Sequence, residues 1–350
     1  MPTTVNNKAE VVQSGTTISI DAMGSDLGPA AIVAGIVRVA QKNKRIHFLL
    51  HGQEEQLRKL VAKRQSLKGR VTIIDSVEVI KMEDKPSHVV RHGKATSMWS
   101  AIDSVRDGDA SVCVSCGNTG ALMAISMVRL RKLNGVNRPA IAILWPSSNP
   151  MGFNVMLDVG ADVRADPKDL LQYALMGVSY ARNGLGIAKP RVGLLNVGTE
   201  EHKGRSELKE AYSKIEHCQL EANFVFEGFV EGGDIPGSKV DVIVTDGFTG
   251  NVALKTAEGT ASLIGYLLRE AFRFSPLSKL ASILAFTSLN RFKMRIDPRR
   301  VNGGVFLGLN GTVVKSHGSA DATGIEAAIK LAFELSKNDF LQKVAARVAY

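Results

Sequence analysis

Two glycine-containing segments have the residue types and spacing of an anion site. Residues 115–120 read SCGNTG and residues 245–250 read TDGFTG, so both fit the pattern Ser/Thr-x-Gly-x-Thr-Gly. Glycine lets a backbone turn sharply and approach a ligand closely. The helix predicted after each turn presents free N–H groups and the positive end of its dipole. The repeated pattern predicts two halves of one cleft, and two tight turns without a ligand are the structural alternative.

Further titratable side chains stand at the ends of predicted strands. Asp21 closes the first predicted strand, His317 lies in a turn near the C-terminus, and residues 200–203 (EEHK) cluster in one loop. A carboxylate at a strand end is a usual place for a catalytic or ligand-orienting group. A helix cap for Asp21, a local hydrogen-bonding spacer for His317 and a solvated loop for residues 200–203 are the structural alternatives.

Metal and thiol chemistry are not expected. His88 and His92 are four residues apart, but no acidic partner completes a ligand pattern. Cys113-x-x-Cys116 lacks the second pair of a zinc site. Cys116 has no neighbouring base that would activate it as a nucleophile.

The elements that position these groups alternate between strands and helices. This alternation predicts an α/β fold with a parallel sheet covered on both faces. We expect a disordered tail over residues 1–15 and a single catalytic domain over residues 16–350. The predicted strands are 17–21, 46–51, 71–75, 112–114, 139–145, 154–158, 192–197, 224–230 and 241–245.

Composition narrows the class of protein. The chain has 350 residues, of which 45% are hydrophobic, so it can bury a large core. Three cysteines indicate a reducing compartment without a disulfide framework. The polar N-terminus has no signal-peptide pattern, and no apolar run is long enough to span a bilayer, so we expect a cytoplasmic protein.

A basic, amphipathic segment interrupts the alternation between about residues 260 and 298. Residues 269–300 carry eight basic and two acidic side chains, a large part of the formal net charge of +10. The helical spacing of the apolar residues suits a dimer-packing helix, a helix lying in a lipid interface, or a docking site for an acidic partner. Nucleic acid is not expected, because no nucleic-acid-binding motif accompanies the charge. The residues of this segment that are predicted to contact an acidic partner or a membrane are Arg273, Lys279, Phe286, Leu289, Arg291, Lys293 and Arg295.

Six motifs in order resemble the PlsX family, the acyltransferases of bacterial phospholipid synthesis that use acylated acyl carrier protein (acyl-ACP) and phosphate as substrates. The similarity covers roughly residues 16–335. The motifs are DAMG at 21–24 with Asp26-x-Gly28-Pro29, GNTGA at 117–121, DVGA at 158–161, GLLN at 193–196 with Lys203-Gly204, DGFTGNV at 246–252, and His317-Gly318.

This resemblance implies both a reaction and an architecture. A long-chain fatty acyl group would move from ACP to inorganic phosphate and give an acyl phosphate, without a nicotinamide or other cofactor. The fold would be a three-layer α/β/α sandwich with a mostly parallel sheet, similar to the isocitrate/isopropylmalate dehydrogenase and phosphotransacetylase group. The resemblance further implies a homodimer that associates peripherally with an anionic membrane surface through an amphipathic helical hairpin protruding at about residues 260–298.

Direct displacement of the thioester by phosphate is the chemistry that we expect. A thiolate leaves readily, because thiols have a pKa of roughly 8.5, so positioning and oxyanion stabilisation should dominate. Lys203 would neutralise phosphate or the oxyanion, Asp21 and Asp246 would orient donors, and His317 would be an additional donor. The residues predicted to surround phosphate are Ser115, Gly117, Asn118, Thr119, Gly120, Thr249, Gly250 and Asn251.

Two alternatives from other functional classes remain open on the sequence. A nicotinamide-dependent hydroxy-acid dehydrogenase of the same fold group would need an adenosine-binding acidic residue and metal carboxylates, which the sequence does not identify. A non-catalytic scaffold that binds acyl-ACP at the membrane would have no use for two matched anion turns.

Overall fold

The structure is a computed structural model that describes residues 15–200, 202–296, 303–337 and 340–348, with the side chains of 293–296 left undescribed. The predicted disordered tail lies almost entirely outside these residues. The strands are β1 (Thr16–Asp21), β2 (Ile46–Gly52), β3 (Val71–Asp75), β4 (Val112–Ser115), β5 (Ala140–Pro146), β6 (Phe153–Leu157), β7 (Arg191–Leu195), β8 (Val225–Val230), β9 (Val242–Val244), β10 (Gly304–Leu307) and β11 (Thr312–Lys315).

Helices follow most of these strands, as the alternation predicts. The helices are α1 (Pro29–Lys42), α2 (Glu54–Ala62), α3 (Pro86–His92), α4 (Ser97–Arg106), α5 (Thr119–Arg129), α6 (Pro167–Leu185), α7 (Ser206–Cys218), α8 (Gly247–Arg273), α9 (Pro276–Leu284), α10 (Phe286–Ile296), α11 (Ala322–Leu335) and α12 (Phe340–Val348).

One sheet of eleven strands runs through the described chain in the order β3-β2-β1-β4-β11-β10-β5-β6-β9-β7-β8. Seven of its ten strand pairings are parallel, which confirms a mostly parallel α/β sheet. The three antiparallel pairings join β11 to β10, β10 to β5 and β5 to β6 in the centre. Because these pairings reverse the strand direction three times, β9 runs opposite to β4. The two glycine turns therefore do not share one carboxyl edge of a parallel sheet.

Helices cover both faces of the sheet and form two cores. The larger core joins α1, α6, α7, α11 and α12 to one face, with Tyr173 and Tyr180 of α6 fully buried. The second core packs α4, α5 and the first turns of α8 on the opposite face. This arrangement is the expected three-layer α/β/α sandwich.

Side-chain caps fix several helix starts. Asp166 forms a capping box with Asp169, and Pro167 occupies the first turn of α6. Thr96 caps α4 by accepting a hydrogen bond from the N–H of Trp99. These contacts fix where α4 and α6 begin.

The amphipathic segment forms three helices rather than a simple hairpin. Its first arm is the C-terminal part of α8, which starts at Gly247, and Pro276 occupies the first position of α9. No residue of α9 is buried, and Phe274, Leu277, Ile283, Leu284 and Phe286 are each at least 69% exposed. A contiguous apolar surface of this kind is typical of an interface. Among the described helices, none is both long and apolar enough to cross a bilayer.

Candidate functional site

The first glycine turn begins beside the carboxylate of Asp21, which accepts hydrogen bonds from two serine hydroxyls. Its carboxylate accepts hydrogen bonds of 2.7 Å from the Ser97 hydroxyl and 2.7 Å from the Ser115 hydroxyl. Ser115 Oγ in turn accepts a 3.1 Å bond from the N–H of Gly117. Parallel pairing of β1 and β4 places Asp21 directly beside Ser115. Asp21 is therefore hydrogen-bonded to the residue at which the turn begins, and burial raises its pKa despite these hydrogen bonds.

Both polar atoms of the Asn118 side-chain amide make hydrogen bonds within the protein. Its Oδ1 accepts a 3.0 Å bond from the N–H of Ala121 and caps α5. Its Nδ2 donates to the carbonyls of Met82 at 2.7 Å and Asp84 at 3.1 Å. The side chain thus positions the turn rather than pointing free donors at a ligand.

The backbone of the first turn is approached closely by two other loops. A Cβ on Gly24 would lie 2.7 Å from the Gly117 nitrogen and 2.6 Å from Asp21 Oδ2, so this contact requires glycine. From the other side, the N–H of Ser316 donates a 2.8 Å bond to the carbonyl of Ser115. The segments 21–26 and 315–319 consequently form the walls around residues 115–120.

The second turn repeats this design with Asp158 and Asp246. Asp246 Oδ1 accepts a 2.8 Å bond from the N–H of Thr249 and caps α8, while Oδ2 accepts from Arg205. Asp158 is fully buried, follows β6 beside Thr245, and accepts bonds from the N–H groups of residues 141 and 160–162. Burial raises its pKa against these bonds. The carboxylate of Asp158 thus holds the loop after β6, its backbone N–H bonds the Thr245 carbonyl at 2.9 Å, and Asp246 of the second turn itself caps α8.

Glycine is required in the second turn for the same steric reason as in the first. A Cβ on Gly250 would lie 1.8 Å from the carbonyl oxygen of Asp158. Asn251, the next residue, donates from Nδ2 to the Val159 carbonyl at 3.1 Å. These contacts therefore fix the position of the start of α8 relative to the loop after β6.

A cavity of about 340 Å³ lies between the first turn and the first turns of α8. Thr119 of the first turn lines it, as does Asn251, the residue that follows the second turn. His317 and Lys315 line it from the segment after β11. α8 starts in the second turn and packs over β5 on the face that also carries α5. Helix packing, rather than a common strand edge, therefore places the start of α8 at the same cavity as Thr119, and binding of one ligand by both turns stays a prediction.

Lys315 is the residue of this cavity that sequence reasoning missed. Parallel pairing of β11 and β4 sets it beside Ser115, and its half-buried ammonium donates to the carbonyl of Cys116 at 3.3 Å and to that of Ser316. Burial lowers the pKa of Lys315 to about 8. A lysine closing an apolar strand run two residues before His317 is the signal that the sequence offers.

The neighbouring groups of Lys315 differ in accessibility. Burial raises the pKa of the Cys116 thiol to about 11, which agrees with its expected lack of nucleophilic character. His317 is exposed, contacts Ser319 Oγ through Nδ1 at 2.8 Å, and has a pKa lowered by partial burial. Both the predicted donor role and the spacer alternative for His317 fit this position.

Lys203 lies outside the residues that line the cavity. Its exposed ammonium pairs with Glu200 Oε1 at 2.7 Å, and this hydrogen bond raises the pKa of Lys203. The loop touches the second turn through Arg205, not through Lys203. Glu201, the remaining acidic residue of the loop, lies outside the described residues, and the role of Lys203 stays a prediction.

The remaining predicted residues fall into two places. Gly117, Gly120 and Thr249 lie in the turns themselves, and within the described chain the N–H groups of Thr119 and Gly120 make no hydrogen bond.

The predicted ACP or membrane contacts lie on the helices after Gly259, away from this cavity. Of these, Arg273, Lys279, Phe286, Leu289 and Arg291 are described, and the side chains of Lys293 and Arg295 lie outside the description.

Comparison with known proteins gives close sequence relatives and more distant structural ones. Residues 16–343 match the family model described as fatty acid synthesis protein. The phosphate acyltransferase of Ruegeria sp. (strain TM1040) is 70% identical over 334 residues, covering 95% of this chain and 89% of that protein. The phosphate acyltransferase of Ruegeria pomeroyi is 68% identical over 332 residues, covering 95% and 90% respectively.

Among solved structures, a phosphotransacetylase from Streptococcus pyogenes superposes with a TM-score of 0.58. The alignment covers 92% of this chain and 94% of that one at 18% identity. At this identity the similarity shows a common fold, which is the phosphotransacetylase fold that the sequence predicts.

Proposed function

The chain belongs to the fatty acid synthesis protein family and is an acyltransferase, and from this premise we propose that it transfers a long-chain fatty acyl group from acyl-ACP to inorganic phosphate. The product is an acyl phosphate for phospholipid synthesis. The observation that carries the proposal is the cavity in which Thr119, Asn251 and Lys315 adjoin an apolar wall. Such a cavity has donors for an oxyanion at one place and room for a fatty chain beside them.

Phosphate would lie between the two turns, where backbone N–H groups and hydroxyls donate. The N–H groups of Thr119 and Gly120, which make no hydrogen bond to any residue that the structure describes, stand at the positive end of α5 and favour a dianion. Asn251 lines the same cavity from α8, and Thr249 and Gly250 directly precede it in the second turn. The Lys315 ammonium adds a positive charge next to Ser115.

The reaction needs one bond to form and one to break. A phosphate oxygen attacks the thioester carbonyl carbon, and the negative charge passes to the carbonyl oxygen in a tetrahedral intermediate. As this intermediate collapses, the C–S bond breaks and its electron pair leaves with the thiolate of the carrier. Lys315, while protonated, stabilises the developing oxyanion or the attacking phosphate. This direct displacement requires no covalent acyl-enzyme. Cys116 is not assigned a nucleophilic role, because burial raises the pKa of its thiol.

Positioning residues hold these donors without touching the reacting atoms. Asp21 fixes Ser115 and Gly117, and Asp246 fixes the first turn of α8. Lys203 remains a proposed phosphate-neutralising group, with its loop joined to the second turn through the ion pair of Arg205 and Asp246. His317 at the cavity rim remains a proposed donor.

The relatives favour acyl transfer over both alternatives. Phosphate acyltransferases at 68–70% identity support an enzyme that acylates phosphate rather than a nicotinamide-dependent dehydrogenase or a non-catalytic scaffold. No cofactor is part of the proposed reaction, since displacement by phosphate exchanges no electrons with an external carrier.

We further propose that α9, α10 and the C-terminal part of α8 bind other molecules that take part in the reaction. Their apolar residues, including Leu280 and Ile283, would pack against a second copy of the chain in a homodimer. Their basic residues, including Lys279 and Arg291, would face an acidic ACP or an anionic membrane surface during peripheral association.

A trapping assay tests the proposed reaction. We expect the purified protein to convert palmitoyl-ACP to palmitoyl hydroxamate when phosphate and hydroxylamine are present, and not when phosphate is replaced by sulfate. Thioester consumption that does not depend on phosphate would remove the enzymatic proposal.

A further inference from the structure

The loop after β7 is held at both of its ends by one buried side chain. Asn196 directly follows β7 and is 7% exposed. Its Nδ2 donates to the carbonyl of Gly198 at 3.0 Å and to the carbonyl of Lys203 at 3.3 Å. Because these carbonyls lie at the beginning and the end of the loop, a single amide group fixes the main chain of Lys203 relative to the end of β7.

Two glycines allow this loop to close around the Asn196 and Lys203 side chains. A Cβ on Gly204 would lie 2.2 Å from Asn196 Oδ1, and the φ of Gly204 is +85°, a value that other residues rarely adopt. A Cβ on Gly198 would lie 2.4 Å from Lys203 Cδ. The Asn196 amide therefore packs against the backbone after Lys203, and the stem of Lys203 lies against the backbone of Gly198.

The pairing of β7 with β9 brings this loop to the second glycine turn. Leu194 of β7 pairs with Val244 of β9, and Asn196 and Asp246 each follow two residues later. Arg205, which comes directly after the loop, forms an ion pair with Asp246. Asn196 therefore connects the loop to the strand end that neighbours the second turn.

Resting on the proposed function, we propose that Asn196 is the positioning residue of Lys203, and that phosphate replaces Glu200 as the partner of the Lys203 ammonium. In the structure this ammonium pairs with Glu200 Oε1 at 2.7 Å. A phosphate dianion carries two negative charges and the Glu200 carboxylate carries one, so phosphate competes for the ammonium when it reaches the second turn. Since Asn196 already holds the main chain of Lys203, this exchange orders fewer groups.

A double-mutant cycle tests whether Asn196 acts through Lys203. Asn196→Ala should lower kcat/KM for phosphate at least tenfold, with a smaller effect on the KM for palmitoyl-ACP. After Lys203→Met has removed the ammonium, the addition of Asn196→Ala should lower the residual kcat/KM by less than a further twofold. A general weakening of the fold would instead lower kcat/KM by the same factor in both backgrounds.

Asn154 provides a matched control for the loss of a buried asparagine. It is fully buried in β6, and its Nδ2 donates to the carbonyls of Ile235 and Gly237 at 2.9 Å each. It therefore holds a loop at the end of β6 that is remote from Asp158. Asn154→Ala should lower the midpoint of urea unfolding at least as far as Asn196→Ala does, but it should change kcat/KM for phosphate less than threefold.

Chemical labelling of Lys203 separates this proposal from the proposed reaction. Trace acetylation by N-hydroxysuccinimidyl acetate between pH 8 and 11, followed by peptide mass spectrometry, measures the pKa and the reactivity of the Lys203 amine. The hydrogen bond to Glu200 raises this pKa in the wild type. Asn196→Ala should lower the pKa of Lys203 and increase its acetylation at pH 9 at least threefold, whereas Asn154→Ala should change neither.

The same labelling measures the exchange of Glu200 for phosphate. In Glu200→Gln, phosphate should slow acetylation of Lys203 at least threefold relative to chloride at equal ionic strength. Neither labelling result requires acyl transfer. If the protein forms no acyl phosphate and these differences persist, the proposed function fails while the hold of Asn196 on Lys203 stands.

Three results would overturn the proposal. Equal losses from Asn196→Ala with and without the Lys203 ammonium would show that Asn196 acts only on the fold. Acetylation of Lys203 at the wild-type rate in Asn196→Ala would show that the amide does not position this side chain. Acetylation that phosphate does not slow in Glu200→Gln would show that phosphate does not take the place of Glu200.

Discussion

Replacement of Lys315 by methionine should remove catalysis without weakening the fold. Lys315 is a half-buried cation in the cavity, with Asp21, Asp26, Cys116 and Lys255 as its charged or titratable neighbours. Methionine keeps the unbranched apolar stem and removes the ammonium. The substitution therefore isolates the charge from the packing of the side chain.

The cost of holding this ammonium follows from its pKa. Burial lowers the pKa of Lys315 from 10.5 to about 8, and at roughly 1.4 kcal/mol per pKa unit the folded protein carries a penalty of roughly 3–4 kcal/mol. Because the unfolded chain binds more protons between pH 8 and 10.5, this group makes the wild-type fold more stable as pH rises through that window. Lys315→Met removes the penalty and its pH dependence, so its free energy of unfolding at neutral pH should equal or exceed that of wild type.

The effect on catalysis should have the opposite sign. Removal of one donor from a site that stabilises a developing oxyanion costs on the order of 10²–10³ in kcat. In the wild type, the protonated form is the active one, so kcat should fall as pH rises through about 8. Lys315→Arg keeps its charge throughout this range, so it should retain part of the activity and lose the falling limb.

The assay is trapped acyl phosphate from palmitoyl-ACP, measured from pH 6 to 10 alongside urea unfolding of each variant. Lys315→Met with kcat within threefold of wild type would refute the reasoning. A falling limb near pH 8 that persists in Lys315→Arg would also refute it, because the titrating group would then be another residue.

Three further sets of variants test separate parts of the structure. Gly250→Ala should destabilise the protein by about 1–3 kcal/mol in urea unfolding, because its Cβ meets the Asp158 carbonyl. Gly259→Ala is the control, since it has open space on the same helix, and it should be neutral or stabilising by up to about 1 kcal/mol; equal effects of the two variants would contradict the steric explanation. Lys203→Ala should depress kcat severely in the trapping assay, and a wild-type rate would exclude Lys203 from the site. Charge reversal at Arg291, Lys293 and Arg295 should weaken binding to ACP or to anionic vesicles in co-sedimentation, with circular dichroism unchanged; unaltered binding to both would leave dimer packing as the role of these helices.

Local features of the site were predictable from sequence because they depend on neighbours in the chain. The glycine turns after β4 and β9, and the helix that follows each turn, depend on residues within a few positions of each other. Asp21 was predictable as an orienting carboxylate, since it ends the first strand directly before a glycine-rich loop.

Features set by distant strand pairing were not predictable in the same way. Lys315 enters the site because β11 inserts beside β4, about 200 residues earlier in the chain. The antiparallel pairings around β10 and β5 leave no mark in the alternation of strands and helices, so the opposed directions of β4 and β9 were missed. Asn118 has the residue type of a ligand, but the carbonyls of Met82 and Asp84 occupy its amide.

A double-mutant cycle on the two turns tests most directly whether they act on one phosphate ion. Thr119→Val and Asn251→Ala are measured singly and together, with kcat/KM for phosphate as the readout. If both side chains face the same ion across the cavity, their effects should couple by at least about 0.5 kcal/mol, so that the double variant loses less than the product of the single losses. Strictly additive effects, or a phosphate dependence unchanged in either single variant, would contradict a shared phosphate site.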